Sequence, residues 1–122
     1  MMLTIIGLMS GTSADGIDVA LVSTDGHSKC RLLDSHFTSY RESTRTEILL
    51  AREDPENYLN DVRRVTALTT AITEDHLYSF IHFLNSPNCK IDLIGFHGQT
   101  IYHNPKIGKT VQLGDGITLA RQ

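Results

Sequence analysis

The stretch G-L-M-S-G-T-S-A-D-G-I-D, residues 7–18, decides how the rest of the chain is interpreted. An apolar run over residues 2–6 leads into it and an alternating run over residues 17–22 leads out, and both are typical of strands. Between the runs lie glycines, hydroxyl side chains and the carboxylates Asp15 and Asp18. Glycine lets backbone N–H groups come close to a ligand, and hydroxyls add uncharged donors. The stretch therefore predicts a strand–loop–strand unit whose loop can hold phosphate oxygens.

The residues alone leave a second interpretation of this loop open. A hairpin with a merely polar turn fits as well, because Gly, Ser and Asp are the common turn residues. The loop is not a Walker loop, since it lacks Gly-Lys-Ser/Thr and returns into a strand, and it lacks the Rossmann fingerprint. If phosphate binds here, Asp15 and Asp18 would repel it unless a divalent cation lies between them. The phosphate interpretation therefore implies Mg²⁺.

The same stretch closely resembles the opening motif of the anhydro-N-acetylmuramic acid kinases. These bacterial enzymes are members of the actin/sugar-kinase/Hsp70 superfamily, in which a strand–turn–strand of this kind holds the phosphates of ATP. Sugar kinases of the superfamily commonly read D-x-G-T-S, and here Met9 stands in the place of that Asp. The resemblance thus implies ATP and Mg²⁺ as cofactors, with Asp15 or Asp18 left to direct the metal. The implied nucleotide-binding residues are Gly11, Thr12, Ser13, Ala14, Asp15, Gly16, Ile17 and Asp18.

The composition indicates a single domain. A chain of 122 residues can bury a workable core, and 20% charged residues is usual for globular proteins. The net charge of −3, without a basic block, argues against nucleic acid as a partner. The sequence shows neither the apolar length of a membrane span nor the pattern of a signal peptide. Cys30 and Cys89 lack zinc or redox spacing, which favours reduced thiols in a soluble, cytoplasmic protein.

Two strands and a short helix are predicted after the loop. Asp25-Gly26 is a favourable hairpin dipeptide, and residues 30–40 predict a third strand that completes an antiparallel meander. Residues 42–52 predict a helix that Ser43 or Thr44 caps. The residue that would complete the capping box is Glu47, and those expected to face inward are Ile48 and Leu49.

A long helix is predicted over residues 55–84, ended by the polar residues 85–88. Its apolar face has a one-residue slip between Ile72 and Leu77, which would mark a bend or a change of facing partner. His76 and His82 are interpreted as structural or surface residues, because no ligand set lies nearby in the sequence. The residues predicted to form the apolar face are Tyr58, Val62, Val65, Leu68, Ile72, Leu77, Ile81 and Leu84.

Residues 91–96, I-D-L-I-G-F, predict a buried central strand that runs parallel to its neighbour, with the long helix as the crossover. Ligands of open α/β sheets bind beyond the carboxyl ends of such strands, so His97, Gln99 and Thr100 form a second candidate site. Their donors and acceptors suit sugar hydroxyls, a carboxylate or an acetamido group. A polar loop without function is one alternative. Zinc at His97 and His103 is another, although no Cys or Glu nearby completes the ligand set.

The resemblance to the anhydro-N-acetylmuramic acid kinases recurs in the last third of the chain. H-G-Q-T followed by H-x-P, and T-V-Q-L-G-D-G over residues 110–116, are typical of that family. The resemblance implies that His97, Gln99 and Thr100 line the sugar. Residues 101–103 and 110–113 predict a small hairpin with residues 104–109 as its turn. Asp115 is expected to cap a terminal helix that begins near Gly116.

Together these features predict an α/β fold, the N-terminal portion of a ribonuclease H-like (actin-like ATPase) domain. Its expected elements are a three-stranded antiparallel meander, a long crossover helix, a central parallel strand, a small hairpin and a terminal helix. The resemblance implies an ATP-dependent kinase that opens 1,6-anhydro-N-acetylmuramic acid with water and phosphorylates O6. The product would be N-acetylmuramic acid 6-phosphate, in the recycling of cell-wall amino sugars.

Kinases of this family are longer and have two domains around a cleft. Residues 1–122 are therefore expected to form part of the N-terminal domain, with the catalytic base beyond Gln122 and no activity in the isolated chain. Ile117 and Leu119 would then expose apolar surface. A homodimer, or a second chain that supplies the missing part, would cover it. The alternative of a different class is a non-catalytic fragment, or a partner-binding module derived from such a kinase.

Overall fold

A mixed four-stranded sheet organises the chain in this computed structural model, which describes residues 1–84 and 90–121. The strand order is β3–β2–β1–β4, with β4 parallel to β1 and the other pairs antiparallel. The fold is therefore α/β, and the predicted meander is confirmed. The strands are β1 (Leu3–Met9), β2 (Gly16–Thr24), β3 (Cys30–Ser39) and β4 (Leu93–Gly95).

The turn between β2 and β3 forms where Asp25-Gly26 predicted it. The Oδ1 atom of Asp25 accepts hydrogen bonds of 2.9 Å from the backbone N–H groups of His27, Ser28 and Lys29. These bonds hold the pKa of the Asp25 carboxyl below its ordinary value, chiefly through the N–H of Lys29. Cys30 begins β3 in an exposed position, whereas Cys89 lies outside the described residues.

Three helices follow the meander: α1 (Glu42–Glu53), α2 (Pro55–Asn60) and α3 (Val62–Leu84). The prediction of one continuous helix over residues 55–84 is wrong, because Asp61 adopts an extended backbone between α2 and α3. Its Oδ1 atom accepts a hydrogen bond of 3.1 Å from the N–H of Arg64, so Asp61 caps a new helix. The predicted stop at residues 85–88 lies outside the described residues.

The buried face of α3 differs from the predicted one at its start, where Val62 is 74% exposed, and in its second half. It continues from Leu68 and Ile72 through His76, Phe80 and Phe83, with no slip in spacing. Of the residues predicted there, Ile81 is 41% exposed, and Leu77 and Leu84 are only partly buried. A pattern of apolar residues does not include His76, because its side chain is polar. Its Nδ1 atom lies 2.7 Å from the carbonyl oxygen of Ile72. The structural role predicted for His76 is confirmed, and His82 lies at the surface as predicted.

The predicted capping of α1 is also wrong. Arg41 is the N-cap, and Thr44 is buried inside the helix, where its hydroxyl has no hydrogen-bond partner among the described residues. The carboxylate of Asp75 instead accepts the N–H of Arg41 at 3.1 Å, and also its guanidinium, which fixes where the helix begins. Ile48 is fully buried as predicted, but Leu49 is 36% exposed.

The elements after β4 pack beside the sheet. β5 (Gln99–Asn104) and β6 (Lys109–Leu113) form the predicted hairpin as a separate two-stranded sheet, and α4 (Gly116–Ala120) is capped by Asp115 as predicted. Leu119 is buried, which corrects its predicted exposure, whereas Ile117 is 69% exposed. None of the helices within the described ranges is long and apolar enough to cross a membrane.

β4 departs from the prediction in position and burial. It is three residues long, lies at an edge of the described sheet and leaves Leu93 55% exposed. It was predicted as a buried central strand because its apolar run resembles one. Its parallel pairing with β1, through Ile5 and Leu93, agrees with the prediction.

The core lies on one face of the four-stranded sheet. Alternate residues of β1 and β2, including Ile6, Leu8 and Val19, point to the helices, where Ile72 and Phe80 are fully buried. The intervening residues point to the opposite face, which the described part of the chain leaves open. The loop between β1 and β2 therefore lies at the end of a sheet that is packed on one side.

We expect the free energy of unfolding to fall as the pH drops from about 7 to about 5, because His76 is buried as the neutral imidazole. Burial lowers its pKa, with a further contribution from the neighbouring His97, although its contact with Ile72 acts in the opposite direction. The unfolded chain then binds the proton more readily than the folded chain, so protonation favours unfolding below the unfolded pKa of about 6.5.

Urea unfolding at several pH values would measure this slope. His76→Leu should make it shallower, whereas the matched change His82→Leu, at an exposed position of the same helix, should keep it. Equal slopes in both variants would contradict the assignment to His76.

Candidate functional site

The loop between β1 and β2, residues 10–15, is a tight and partly strained turn. The N–H of Ala14 donates to the carbonyl oxygen of Gly11 at 3.1 Å. Ala14 has a φ of 56°, a left-handed conformation that costs energy for a residue with a Cβ. Met9 pairs with Asp18 across the two strands, so the predicted strand–loop–strand unit is confirmed.

Three carbonyl groups of this loop are bonded to other parts of the protein. The carbonyl oxygen of Gly11 accepts the Nε2–H of Gln99 at 3.0 Å, and that of Thr12 accepts the guanidinium of Arg52. The carbonyl oxygen of Asp15 accepts the N–H of Tyr40 at 3.1 Å. Three acceptor groups of the loop are therefore held by partners from other elements of the chain.

The N–H groups of the loop have the opposite environment. In the structure of residues 1–84 and 90–121, the N–H groups of Gly11, Thr12 and Ser13 donate to no protein acceptor, and all three residues are exposed. A Cβ added to Gly11 would meet no atom within 4 Å. With bonded carbonyls and unbonded amides, the loop presents the positive ends of its peptide dipoles to solvent, as an anion site requires.

The remaining loop residues with implied nucleotide contacts differ in exposure. The side chains of Ala14 and Ile17 are fully buried, and Gly16 lies against the backbone of Thr38 and Ser39. Asp15 and Asp18 are exposed. Gly16 is therefore required by strand packing, whereas Gly11 leaves room for a ligand.

The two loop carboxylates have different surroundings. Asp15 forms an ion pair of 3.3 Å with Arg45, which neutralises it in part. Asp18 lines the groove on the open face of the sheet. Within the described residues no three His, Cys, Asp or Glu side chains form a metal-binding group. Mg²⁺ needs only one or two carboxylates when phosphate and water complete its shell, and Asp18 suits that role better than Asp15.

The residues of the second predicted site are divided by the structure. His97 is exposed and lines the groove with Asp18. Gln99 is fully buried beneath the loop, with its Oε1 atom 2.9 Å from the hydroxyl of Tyr40. Thr100 lies in β5, where its carbonyl oxygen accepts the guanidinium of Arg52 at 2.9 Å.

The zinc alternative gains no support from the described residues. His103 lies in the hairpin, where its Nδ1 atom is 2.7 Å from the hydroxyl oxygen of Thr110. His103 does not line the groove that holds His97, and the two belong to no ligand set of three. The turn of the hairpin uses Asn104, whose side chain accepts the N–H of Lys106.

The groove on the open sheet face has a volume of about 840 Å³. Strands β1, β2 and β3 contribute Met9, Asp18 and Phe37, and His97 lies at the end of β4. Met9 and Phe37 are 56% and 52% exposed, so apolar side chains form much of the groove. Its polar residues include Asp18 and His97 and, further along β3, Ser35.

Tyr40 and Arg52 are site residues that the sequence did not reveal. Burial raises the pKa of the Tyr40 hydroxyl to about 12, so it remains a donor to Gln99 at neutral pH. Burial lowers the pKa of Arg52 from its ordinary value, but the guanidinium stays charged. The contacts of Arg52 lie 40 and 48 residues away in the sequence, so no local pattern could have indicated them.

Comparisons with known proteins identify the family of this chain. A family model described as anhydro-N-acetylmuramic acid kinase matches residues 3–122. The chain belongs to this family. The anhydro-N-acetylmuramic acid kinase family is one of carbohydrate kinases, and the resemblance of the loop and hairpin motifs to it is confirmed.

Curated relatives carry the same name, anhydro-N-acetylmuramic acid kinase. The protein of Methylorubrum populi is 41% identical over 96% of this chain and 35% of its own length. The protein of Nitrobacter winogradskyi is 40% identical over 98% of this chain and 34% of its own length. The protein of Rhodospirillum rubrum is 38% identical over 96% of this chain and 31% of its own length. The chain thus spans about a third of the length of these anhydro-N-acetylmuramic acid kinases.

Proposed function

We propose that residues 1–122 form the phosphate-binding part of an ATP-dependent kinase of 1,6-anhydro-N-acetylmuramic acid, within an actin-like, cytoplasmic enzyme. The observation that carries this proposal is the polarity of the loop at residues 10–15. The carbonyl groups of Gly11 and Thr12 are bonded to Gln99 and Arg52. Within residues 1–84 and 90–121, the N–H groups of Gly11, Thr12 and Ser13 have no protein acceptor, and all three residues are exposed. In a carbohydrate kinase family, such a loop suits the phosphates of ATP.

The loop would bind the phosphate oxygens through backbone dipoles and the hydroxyls of Thr12 and Ser13. This environment stabilises the charge that spreads over the phosphoryl oxygens during transfer. Asp18 would hold Mg²⁺, with Asp15 as a weaker candidate because Arg45 neutralises it in part. The metal would neutralise charge on the phosphates.

The sugar would occupy the groove beside the loop. His97 lines this groove and offers one donor and one acceptor to the sugar. Gln99 and Thr100, implied as sugar-lining by the family, have side chains engaged elsewhere, with Gln99 beneath the loop and Thr100 near Gln112. We therefore propose His97 as the principal sugar contact within this chain.

In the proposed reaction, the oxygen of water bonds to the anomeric carbon while the bond from that carbon to O6 breaks. O6 takes the γ-phosphoryl group, ADP leaves, and the proton of water passes to a carboxylate base. We propose that this base lies outside residues 1–122. The proposed contribution of this chain is accordingly to position phosphate and sugar, and we propose that the isolated chain does not turn over.

The Gly11→Val substitution tests the proposed phosphate site. The added side chain would enter open space and meet no protein atom within 4 Å of its Cβ, so the folded chain can accept it. It would occupy the position from which phosphate approaches the amides. We expect binding of Mg²⁺·ATP, followed through the amide signals of residues 11–13 by NMR titration, to weaken about tenfold or more.

Gly11→Ala provides a graded control, with a smaller loss of affinity, and thermal unfolding should be nearly unchanged in both variants. The alternative function, a partner-binding module, makes a different prediction. In that case Mg²⁺·ATP would not shift the loop amides even in the unsubstituted chain, and the apolar groove at Met9 and Phe37 would be the functional surface.

A further inference from the structure

We propose that Gln99 is a positioning residue that sets the polarity of the phosphate loop, with Tyr40 and Arg52 as its supports. Gln99 lies at the start of β5, 88 residues from the loop carbonyl to which it donates. This inference rests on the proposed function, because it assigns a role in binding phosphate to a residue that would not touch phosphate.

The orientation of the Gln99 amide is determined by its partners. The Tyr40 hydroxyl donates to Oε1 at 2.9 Å, and this leaves Nε2 to donate to the carbonyl oxygen of Gly11 at 3.0 Å. Gln99 is 0% exposed, so its own amide is shielded from water, although Gly11 is an exposed residue. A side chain at this position must therefore accept a hydrogen bond from the Tyr40 hydroxyl and donate one to the loop. Glutamine does both, with the oxygen and the nitrogen of its amide group.

Two other contacts fasten the same part of the loop to the hairpin. The guanidinium of Arg52 bridges the carbonyl oxygens of Thr12 and Thr100. The hydroxyl of Ser10 donates to the carbonyl oxygen of Gly98 at 2.6 Å and is buried. The loop is thus held at three successive residues by groups from α1 and from the start of β5.

These contacts matter for anion binding because a peptide unit presents either its N–H or its C=O to a ligand. The carbonyl of Gly11 also accepts the N–H of Ala14 within the turn. Without the donor from Gln99, only this turn bond would hold the carbonyl, and the peptide after Gly11 could rotate and direct oxygen toward the phosphate. That rotation would replace an attractive dipole by a repulsive one. Gln99 therefore influences phosphate affinity through the orientation of the loop, and this effect is separable from global stability.

The Gln99→Glu substitution tests this inference because it keeps the shape and removes the donor. A carboxylate would face the carbonyl of Gly11 and repel it, and it would disturb the loop even without ligand. At neutral pH we expect the amide signals of residues 11–13 to shift in the free chain, and the affinity for Mg²⁺·ATP and for inorganic pyrophosphate to fall about tenfold.

A pH series supplies a readout that a merely structural role would not produce. Burial raises the pKa of the introduced carboxyl, so lowering the pH from about 7.5 to about 5.5 should protonate it and restore a donor. The affinity of the variant, divided by that of the unsubstituted chain at the same pH, should then recover. Gln112→Leu is the matched control, since Gln112 lies exposed in β6 of the same hairpin and should leave loop and affinity unchanged.

The outcomes separate this inference from the proposed function. If the unsubstituted chain binds neither probe, the proposed function fails, and the free-chain signals decide the positioning role: shifted loop amides uphold it, and unshifted ones overturn it. A folded Gln99→Glu chain with unchanged loop signals and affinity overturns it as well.

If the Gln99→Glu variant does not fold, Tyr40→Phe replaces it, with Tyr78→Phe at an exposed position as its control. Unchanged loop signals in folded Tyr40→Phe would then overturn the inference, and shifted ones uphold it.

Discussion

Gly98→Ala is expected to destabilise the chain by about 3 kcal/mol or more, among the largest effects of any single substitution. Gly98 has a φ of 75°, and an added Cβ would lie 2.8 Å from the carbonyl carbon of Leu113 and closer still to its oxygen. These two atoms belong to the backbone of β6, and this strand cannot move away without disturbing the hairpin. The change would also displace the carbonyl oxygen that accepts the hydroxyl of Ser10. Urea unfolding monitored by circular dichroism would measure the loss.

Gly108→Ala separates the clash from the backbone strain. Gly108 also has a positive φ, of 66°, but a Cβ there would meet no atom within 4 Å. Its replacement should therefore cost only about 1 kcal/mol, the usual penalty of a left-handed residue with a side chain. Equal losses at both glycines would show that the contact between Gly98 and Leu113 is less tight than the structure indicates.

Gly16→Val is expected to have an effect of similar size, about 3 kcal/mol or more, at the other end of the phosphate loop. A Cβ on Gly16 would lie 2.8 Å from the Cα atom of Ser39 and nearer still to the carbonyl oxygen of Thr38. Both belong to β3, which pairs with β2 at this point. The substitution would force the two strands apart, and thermal unfolding should detect the loss directly.

Gly11→Val is the matched comparison for Gly16→Val, because both glycines belong to the same motif and receive the same side chain. Gly11→Val should weaken nucleotide binding with little change in stability, and Gly16→Val should lower the free energy of unfolding by about 3 kcal/mol or more. A stable Gly16→Val chain would contradict the packing described for β2 and β3. The contrast assigns different physical reasons to two glycines that look alike in the sequence.

The local parts of the fold could be predicted from the sequence. The meander follows from alternating apolar residues and from the turn at Asp25-Gly26, and both signals lie within a few neighbouring residues. The hairpin of β5 and β6 and the cap at Asp115 were predictable for the same reason. Asp61 was missed although Asp is a strong N-cap, because the helical spacing of apolar residues continues across it.

The parts that depend on distant contacts could not be predicted. The buried face of α3 includes His76, which a hydrophobic pattern excludes but which packs against Phe96 and Tyr40. The sequence predicts a sugar contact for Gln99, because sequence cannot show which way an amide at a strand start is oriented. The structure directs it toward Tyr40 and Gly11.

The bonds that shape the phosphate loop also constrain the order in which the chain can fold. Ser10 and Gly11 are joined to Gly98 and Gln99 across 88 residues, so these contacts form only after a large loop has closed. Contacts of such long sequence separation slow folding. During synthesis the meander can pair early, but the phosphate loop must wait for the hairpin strand to leave the ribosome. The proposed anion site is therefore among the last features of this chain to acquire its final shape.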